Sequence, residues 1–150
     1  MDMSGKVYLD ANIIVYVAER RSGYYEALLP LLQTAREGTT RLFSSQLSLM
    51  ECLVFPLRSG NQSLIADYYR LLLESDLVLQ PITLEILQQA ALLRAQYPSL
   101  RTPDAIHWAT AQALEVDYFL TNDASLARIV GSIGVLLESL LDNPPGTHRG

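Results

Sequence analysis

Cysteine is almost missing from this chain: Cys52 is the only one in 150 residues. A lone thiol excludes a disulfide framework, and its setting in the apolar run Cys52-Leu53-Val54-Phe55 reads as a reduced, buried side chain, which favours a cytoplasmic location. Long hydrophobic runs are missing too. No charge-free apolar stretch approaches the roughly 18 residues of a membrane-spanning helix. The opening Met-Asp-Met-Ser-Gly-Lys carries an acid where a signal peptide has positive charge, and Val7 to Leu9 is too short for a secretory core. The expectation is a soluble chain, with no membrane partner and no recognisable export signal. Basic charge is scarce: eleven Lys and Arg face sixteen Asp and Glu, for a net charge of −5. The basic residues are scattered singly apart from Arg20-Arg21, so no broad basic face for nucleic acid exists. Glycine-rich phosphate loops of the P-loop or dinucleotide type are also absent.

What the chain does have is apolar mass. With 49% hydrophobic residues it can bury one core unaided, so a single domain over residues 1–141 is expected. The remaining Asp142-Asn143-Pro144-Pro145-Gly146-Thr147-His148-Arg149-Gly150 has the composition of a disordered tail. Short apolar strands are read at Val7 to Leu9, Leu42-Phe43, Val78 to Ile82, Tyr118 to Leu120 and Val135 to Leu137. Between them the apolar spacing predicts helices over Ala11 to Arg20, Tyr24 to Arg36, Gln46 to Phe55, Leu64 to Glu74, Leu84 to Tyr97, from Thr102-Pro103 onward, and Ala124 to Ile129. Ser45 and Thr83 are placed to cap the helices that follow them. Proline suits the first turn of the Thr102 helix because it needs no amide partner there. Strands without polar alternation, separated by amphipathic helices, indicate an α/β fold with a parallel sheet covered on both faces.

In such sheets ligands bind beyond the carboxyl ends of the strands. Asp10 directly follows Val7-Tyr8-Leu9, and Asp123 follows Tyr118-Phe119-Leu120-Thr121-Asn122, so both acids lie at that edge. Asp104 occupies the first turn of its helix, where free amides and the dipole favour a carboxylate. Glu51 is the only charge between Arg41 and Arg58, and a lone acid in an apolar helix is costly unless it faces a polar site or solvent. Taken singly, each acid has a plain alternative. Asp10 and Asp123 suit helix capping, Asp104 suits a favourable first-turn charge, and Glu51 suits a solvated stripe. Together they would raise one another's pKa unless cations share the site. Ligation by oxygen alone, without a histidine or cysteine cluster, suits magnesium or manganese over zinc. Such a site would cleave phosphodiesters by positioning and ionising water while neutralising phosphate charge.

Tyr8-Leu9-Asp10-Ala11-Asn12 resembles the opening motif of PIN domains, and Ser48-Leu49-Met50-Glu51 their second acidic motif. Thr102-Pro103-Asp104-Ala105-Ile106-His107 is similar to the third, and Leu120-Thr121-Asn122-Asp123 to the fourth. The four stand in family order from about Val7 to Leu137. The resemblance implies a three-layer fold around a five-stranded parallel sheet in the order 3-2-1-4-5, which sets Asp10 beside Asp123. It further implies a Mg²⁺- or Mn²⁺-dependent endoribonuclease acting on RNA. Asp10 and Asp104 would be the central metal ligands, Glu51 and Asp123 would complete the site directly or through water, and Asn12 and Thr121 would orient carboxylates or water. Small PIN domains of this kind resemble VapC-type toxins, which implies a cognate antitoxin protein and a homodimer.

Three neighbours of the motifs invite other readings. His107 lies three residues after Asp104, yet a lone histidine reads as a packing or hydrogen-bonding residue before a general base. Trp108 and the alanines at 105, 109, 111 and 113 read as a close-packed helix face. The pairs Tyr24-Tyr25 and Tyr68-Tyr69 read as core-edge packing before base stacking. Two rival functions remain open at this level. One is a catalytically silent PIN-like module that binds RNA or a protein. The other is a phosphatase with Asp10 as nucleophile, disfavoured because Asn12 stands where a haloacid-dehalogenase type of site has a second aspartate.

Overall fold

The computed structural model describes residues 2–141. The proline-rich tail read from the sequence lies outside the described residues. Five strands form one sheet: β1 (Gly5–Leu9), β2 (Thr40–Ser45), β3 (Val78–Gln80), β4 (Tyr118–Thr121) and β5 (Gly134–Leu136). All pairings are parallel and the order is β3-β2-β1-β4-β5. This is the expected α/β architecture. The helices α1 (Ala11–Ala18) and α2 (Tyr24–Glu37) connect β1 to β2, α3 (Leu47–Ser59) and α4 (Gln62–Glu74) connect β2 to β3, α5 (Leu84–Gln96) and α6 (Thr102–Leu114) connect β3 to β4, and α7 (Ala124–Val130) leads into β5.

Period-two alternation along the strands splits the core in two. Val7, Leu9, Leu42 and Leu120 pack under α1 to α4, with Ile13, Leu28, Leu53 and Leu72. Tyr8, Phe43 and Phe119 face the opposite way, toward α5 to α7, with Ile86, Leu93, Trp108 and Leu126. Both sheet faces are therefore covered, which is why the strands read as unbroken apolar runs.

Element bounds depart from the sequence reading where backbone chemistry intervenes. The first helix stops at Ala18, and Arg20 sits at φ 49 in the following turn. α3 runs past Phe55 to Ser59, keeping Pro56 inside it, and ends on Gly60 at φ 70, a left-handed position that glycine adopts without strain. β3 ends at Gln80, because Pro81 has no N–H for the ladder. Gln46, not Ser45, is the residue at the N-cap of α3, although the Ser45 hydroxyl accepts the Leu47 N–H at 3.0 Å. Thr83 does cap α5, accepting from the Ile86 N–H at 3.2 Å. Trp108 and alanines 105, 109 and 111 are buried as a packed face, whereas Ala113, in the last turn of α6, is exposed.

Candidate active site

The order of the sheet reverses at β1, which has β2 on one side and β4 on the other, so a crevice opens beyond the carboxyl ends of β1 and β4. Asp10 stands at that point. It caps α1, with its Oδ1 accepting the Ala11 N–H at 2.8 Å, and its own N–H bonds the Leu120 carbonyl at 3.0 Å, tying it to β4. Only 6% of the residue is exposed. Thr121, the last residue of β4, donates its hydroxyl proton to Asp10 Oδ2 at 2.7 Å and accepts the Asp123 N–H at 3.1 Å. A single buried hydroxyl thus ties the two acids of neighbouring strands together. Asp123 in turn caps α7, accepting the Leu126 N–H at 3.1 Å. The capping roles weighed for Asp10 and Asp123 are real, and they leave each carboxylate with free lone pairs.

Asn12 and Asn122 brace the same loop. Asn12 Oδ1 accepts the Asn122 backbone N–H at 3.3 Å, so its direct contact is with the loop that carries Asp123 and not with a carboxylate. The Asn122 amide donates to the Tyr16 hydroxyl at 3.2 Å, and its buried Oδ1 has no partner among the described residues.

Asp104 projects from the first turn of α6. Burial raises its pKa above the ordinary carboxylate value, Arg101 works against that, and the Asp10 and Asp123 charges push it further up. The three aspartates therefore share one electrostatic environment. Arg101 Nε lies 3.0 Å from Asp104 Oδ2, with the arginine side chain 71% exposed and the aspartate side chain 13% exposed. The pKa of Arg101 is raised, chiefly by Asp104 and also by Asp123 and Asp10.

Glu51 enters from α3 through His107. The imidazole is buried, with Nδ1 2.6 Å from the Tyr8 hydroxyl, Nε2 2.7 Å from Glu51 Oε1 and the same Nε2 3.8 Å from Asp10 Oδ1. Burial first, then the Asp10 charge, raises the pKa of Tyr8 well above its ordinary value. Both ring nitrogens of His107 are thus engaged, Nδ1 by the Tyr8 hydroxyl and Nε2 by the Glu51 carboxylate, which can only accept. His107 is the hydrogen-bonding residue expected of it, and Glu51 faces a polar site.

Cys52 lies beside this cluster as a bystander. Burial, with Glu51, Asp10 and Glu19 adding to it, pushes its thiol up to about 12, so it stays protonated. Two contributors escaped the sequence reading. Arg101 looked like one of many scattered arginines, and Tyr8 like an ordinary core aromatic. The signal for Arg101 was its place three residues before Asp104, where a helix start brings the two side chains together.

As the side chains lie, no three His, Cys, Asp or Glu among the described residues converge closely enough to hold an ion. The donor set nonetheless fits one. Asp10 and the Asp123 loop are linked through Thr121 at one strand edge with free carboxylate lone pairs, and Asp104, its side chain 13% exposed, already has a guanidinium against it.

The PIN domain family profile matches residues 7–131. The chain belongs to the PIN-domain family. No curated relative matches this PIN domain by sequence. Among solved structures it is similar to VapBC2 from Rickettsia felis bound to a promoter DNA fragment, with a TM-score of 0.65 and 19% identity, covering 87% of this chain and 98% of that one. It is also similar to a toxin–antitoxin complex from Klebsiella pneumoniae, with a TM-score of 0.61 and 21% identity, covering 87% and 97%. At these identities the likeness is one of fold.

Proposed function

We propose that this PIN domain is a Mg²⁺- or Mn²⁺-dependent endoribonuclease and the toxin of a toxin–antitoxin pair. The observation that carries the reading is the Thr121 hydroxyl that joins Asp10 to the Asp123 backbone at the reversal of strand order. Asp10 and Asp104 would hold the cation, with Asp123 and Glu51 completing the site directly or through water. A cation bound there would neutralise phosphate charge and ionise water.

The chain's own groups then have separable roles. Thr121 and the Ala11 N–H fix the two oxygens of Asp10, so its lone pairs point in one direction. Tyr8 and His107 hold Glu51 by a buried relay of hydrogen bonds, which keeps a carboxylate at the crevice to orient water. Asn12 holds the backbone of the loop from which Asp123 projects.

The fold neighbours are toxin–antitoxin assemblies, which supports a cognate antitoxin as partner. Self-association into a homodimer is supported by the exposed apolar row Met50, Val54 and Leu57 on α3, spaced at helical repeats. No helix among the described residues is long and apolar enough to cross a membrane.

The test is incubation of the purified protein, freed of any partner, with total RNA plus Mg²⁺, Mn²⁺ or EDTA. Cleavage should need the divalent ion and vanish in Asp104→Asn while the far-UV spectrum is unchanged. A protein that binds Mn²⁺ through its carboxylates yet cuts no RNA would instead be a silent binding module. A small acidic or DNA-binding protein co-purifying with the chain would support the toxin assignment.

A further inference from the structure

The crevice brings together more negative charge than it can hold comfortably, and the protein supplies a cation of its own. Arg101 is the residue before α6, and its guanidinium lies against Asp104 with Nε 3.0 Å from Oδ2 and Nη2 3.5 Å from Oδ1. The Asp104 side chain is only 13% exposed while that of Arg101 is 71% exposed, so the guanidinium meets the carboxylate from the solvent side. Both Asp104 oxygens are engaged by the guanidinium. A metal ion that used Asp104 would need an oxygen lone pair and would bring positive charge beside an existing one.

We propose that Arg101 is a resident counter-cation of the acidic site, which holds Asp104 in the metal-free protein and must give way when a divalent cation binds. The inference rests on the metal-dependent reading of this site. Three observations support the displacement. The arginine side chain is 71% exposed, so it can swing into solvent without losing a packed position. Arg101 occupies the N-cap of α6 without making a side-chain capping hydrogen bond, so its movement leaves the helix start intact. The guanidinium is held by Asp104 alone, three residues along the chain, through nitrogens at 3.0 and 3.5 Å, so no second carboxylate anchors it. The consequence is a raised threshold: the chain binds metal less tightly than its carboxylates alone would, and the metal-free protein is spared part of their repulsion.

Calorimetric titration of Mn²⁺ into the wild type, Arg101→Gln and Arg101→Lys tests this directly. Glutamine keeps length and polarity but removes the charge. It should lower the Mn²⁺ Kd by up to about fivefold, the range of an exposed ion pair, and the gain should shrink in high salt. Lysine should leave the Kd close to that of the wild type. In EDTA, Arg101→Gln should melt below the wild type, and saturating Mn²⁺ should erase the difference. An Arg101→Gln protein that binds Mn²⁺ as the wild type does, or more weakly, overturns the proposal while leaving the metal site standing. A wild type that binds no Mn²⁺ through its carboxylates overturns the metal reading, and this inference with it.

Discussion

At the scale of single residues, Thr121 is where the site depends on one atom. Its hydroxyl donates to Asp10 and accepts from the Asp123 backbone, all in a buried position. Thr121→Val keeps the shape and removes both bonds, leaving a nearly buried Asp10 oxygen without its donor. The expected cost is about 1–3 kcal/mol of stability by urea denaturation, together with a clear loss of metal affinity, while Thr121→Ser restores both. Equal metal affinity in the valine variant would show that the hydroxyl does not position the acids. Asp104 makes a prediction of opposite sign. Its folded pKa is raised, so the native state binds more protons than the unfolded chain between the ordinary value and the raised one, and stability falls as pH rises through that window. Asp104→Asn should therefore melt higher than the wild type in EDTA at pH 7. That advantage should fade as the pH drops through the raised pKa, where the wild-type carboxyl becomes neutral. A variant that melts lower at pH 7 would mean that the Arg101 pair outweighs burial and repulsion. Asp10, Asp104 and Asp123 were legible in the sequence because each follows a strand or opens a helix, and Glu51 because it is the lone charge in an apolar helix. His107 and Tyr8 were not legible as holders of Glu51, since a contact between residues 99 apart leaves no local trace.

At the scale of elements, punctuation explains most boundaries. Asn61 caps α4 through the Leu64 N–H, and Gly38 and Gly60 end α2 and α3 in left-handed conformations. These are short-range effects, which is why the order of strands and helices could be read from the chain. The ends that moved include Ala18, Ser59 and Gln80, and β2, read as Leu42-Phe43, and α4, read from Leu64, reach further, to Thr40–Ser45 and back to Gln62. Gly134 shows an element held by close approach. A Cβ there would stand 2.6 Å from the Ala127 carbonyl oxygen, so β5 can pass α7 only without a side chain. Gly134→Ala should cost about 1–3 kcal/mol in denaturant unfolding, as overpacking does elsewhere. A neutral result would mean that α7 can shift outward freely.

At the scale of the whole molecule, a chain of net charge −5 should bind RNA through its cation site and few basic side chains. The slope of log affinity against log salt for single-stranded RNA should be shallow, equivalent to fewer than about three phosphates. A steep slope would reveal a basic surface that the scattered arginines do not suggest. Metal should also stabilise by linkage: Mn²⁺ at about a hundred times its Kd should add about 2.7 kcal/mol to unfolding, and EDTA should remove it.

The amino-acid sequence by itself determined the α/β class, the alternation of strands and helices, and the position of the three aspartates at a strand end or helix start. Hydrophobic period, caps and breakers act over a few residues and are written locally. Tertiary structure alone decided which of those acids meet. Asp10 and Asp123 are joined because β1 and β4 lie side by side, and Glu51 arrives through His107 and Tyr8. Repulsion, burial and counter-charge exist only once the chain has closed, and they depend on distances that no spacing along the sequence records.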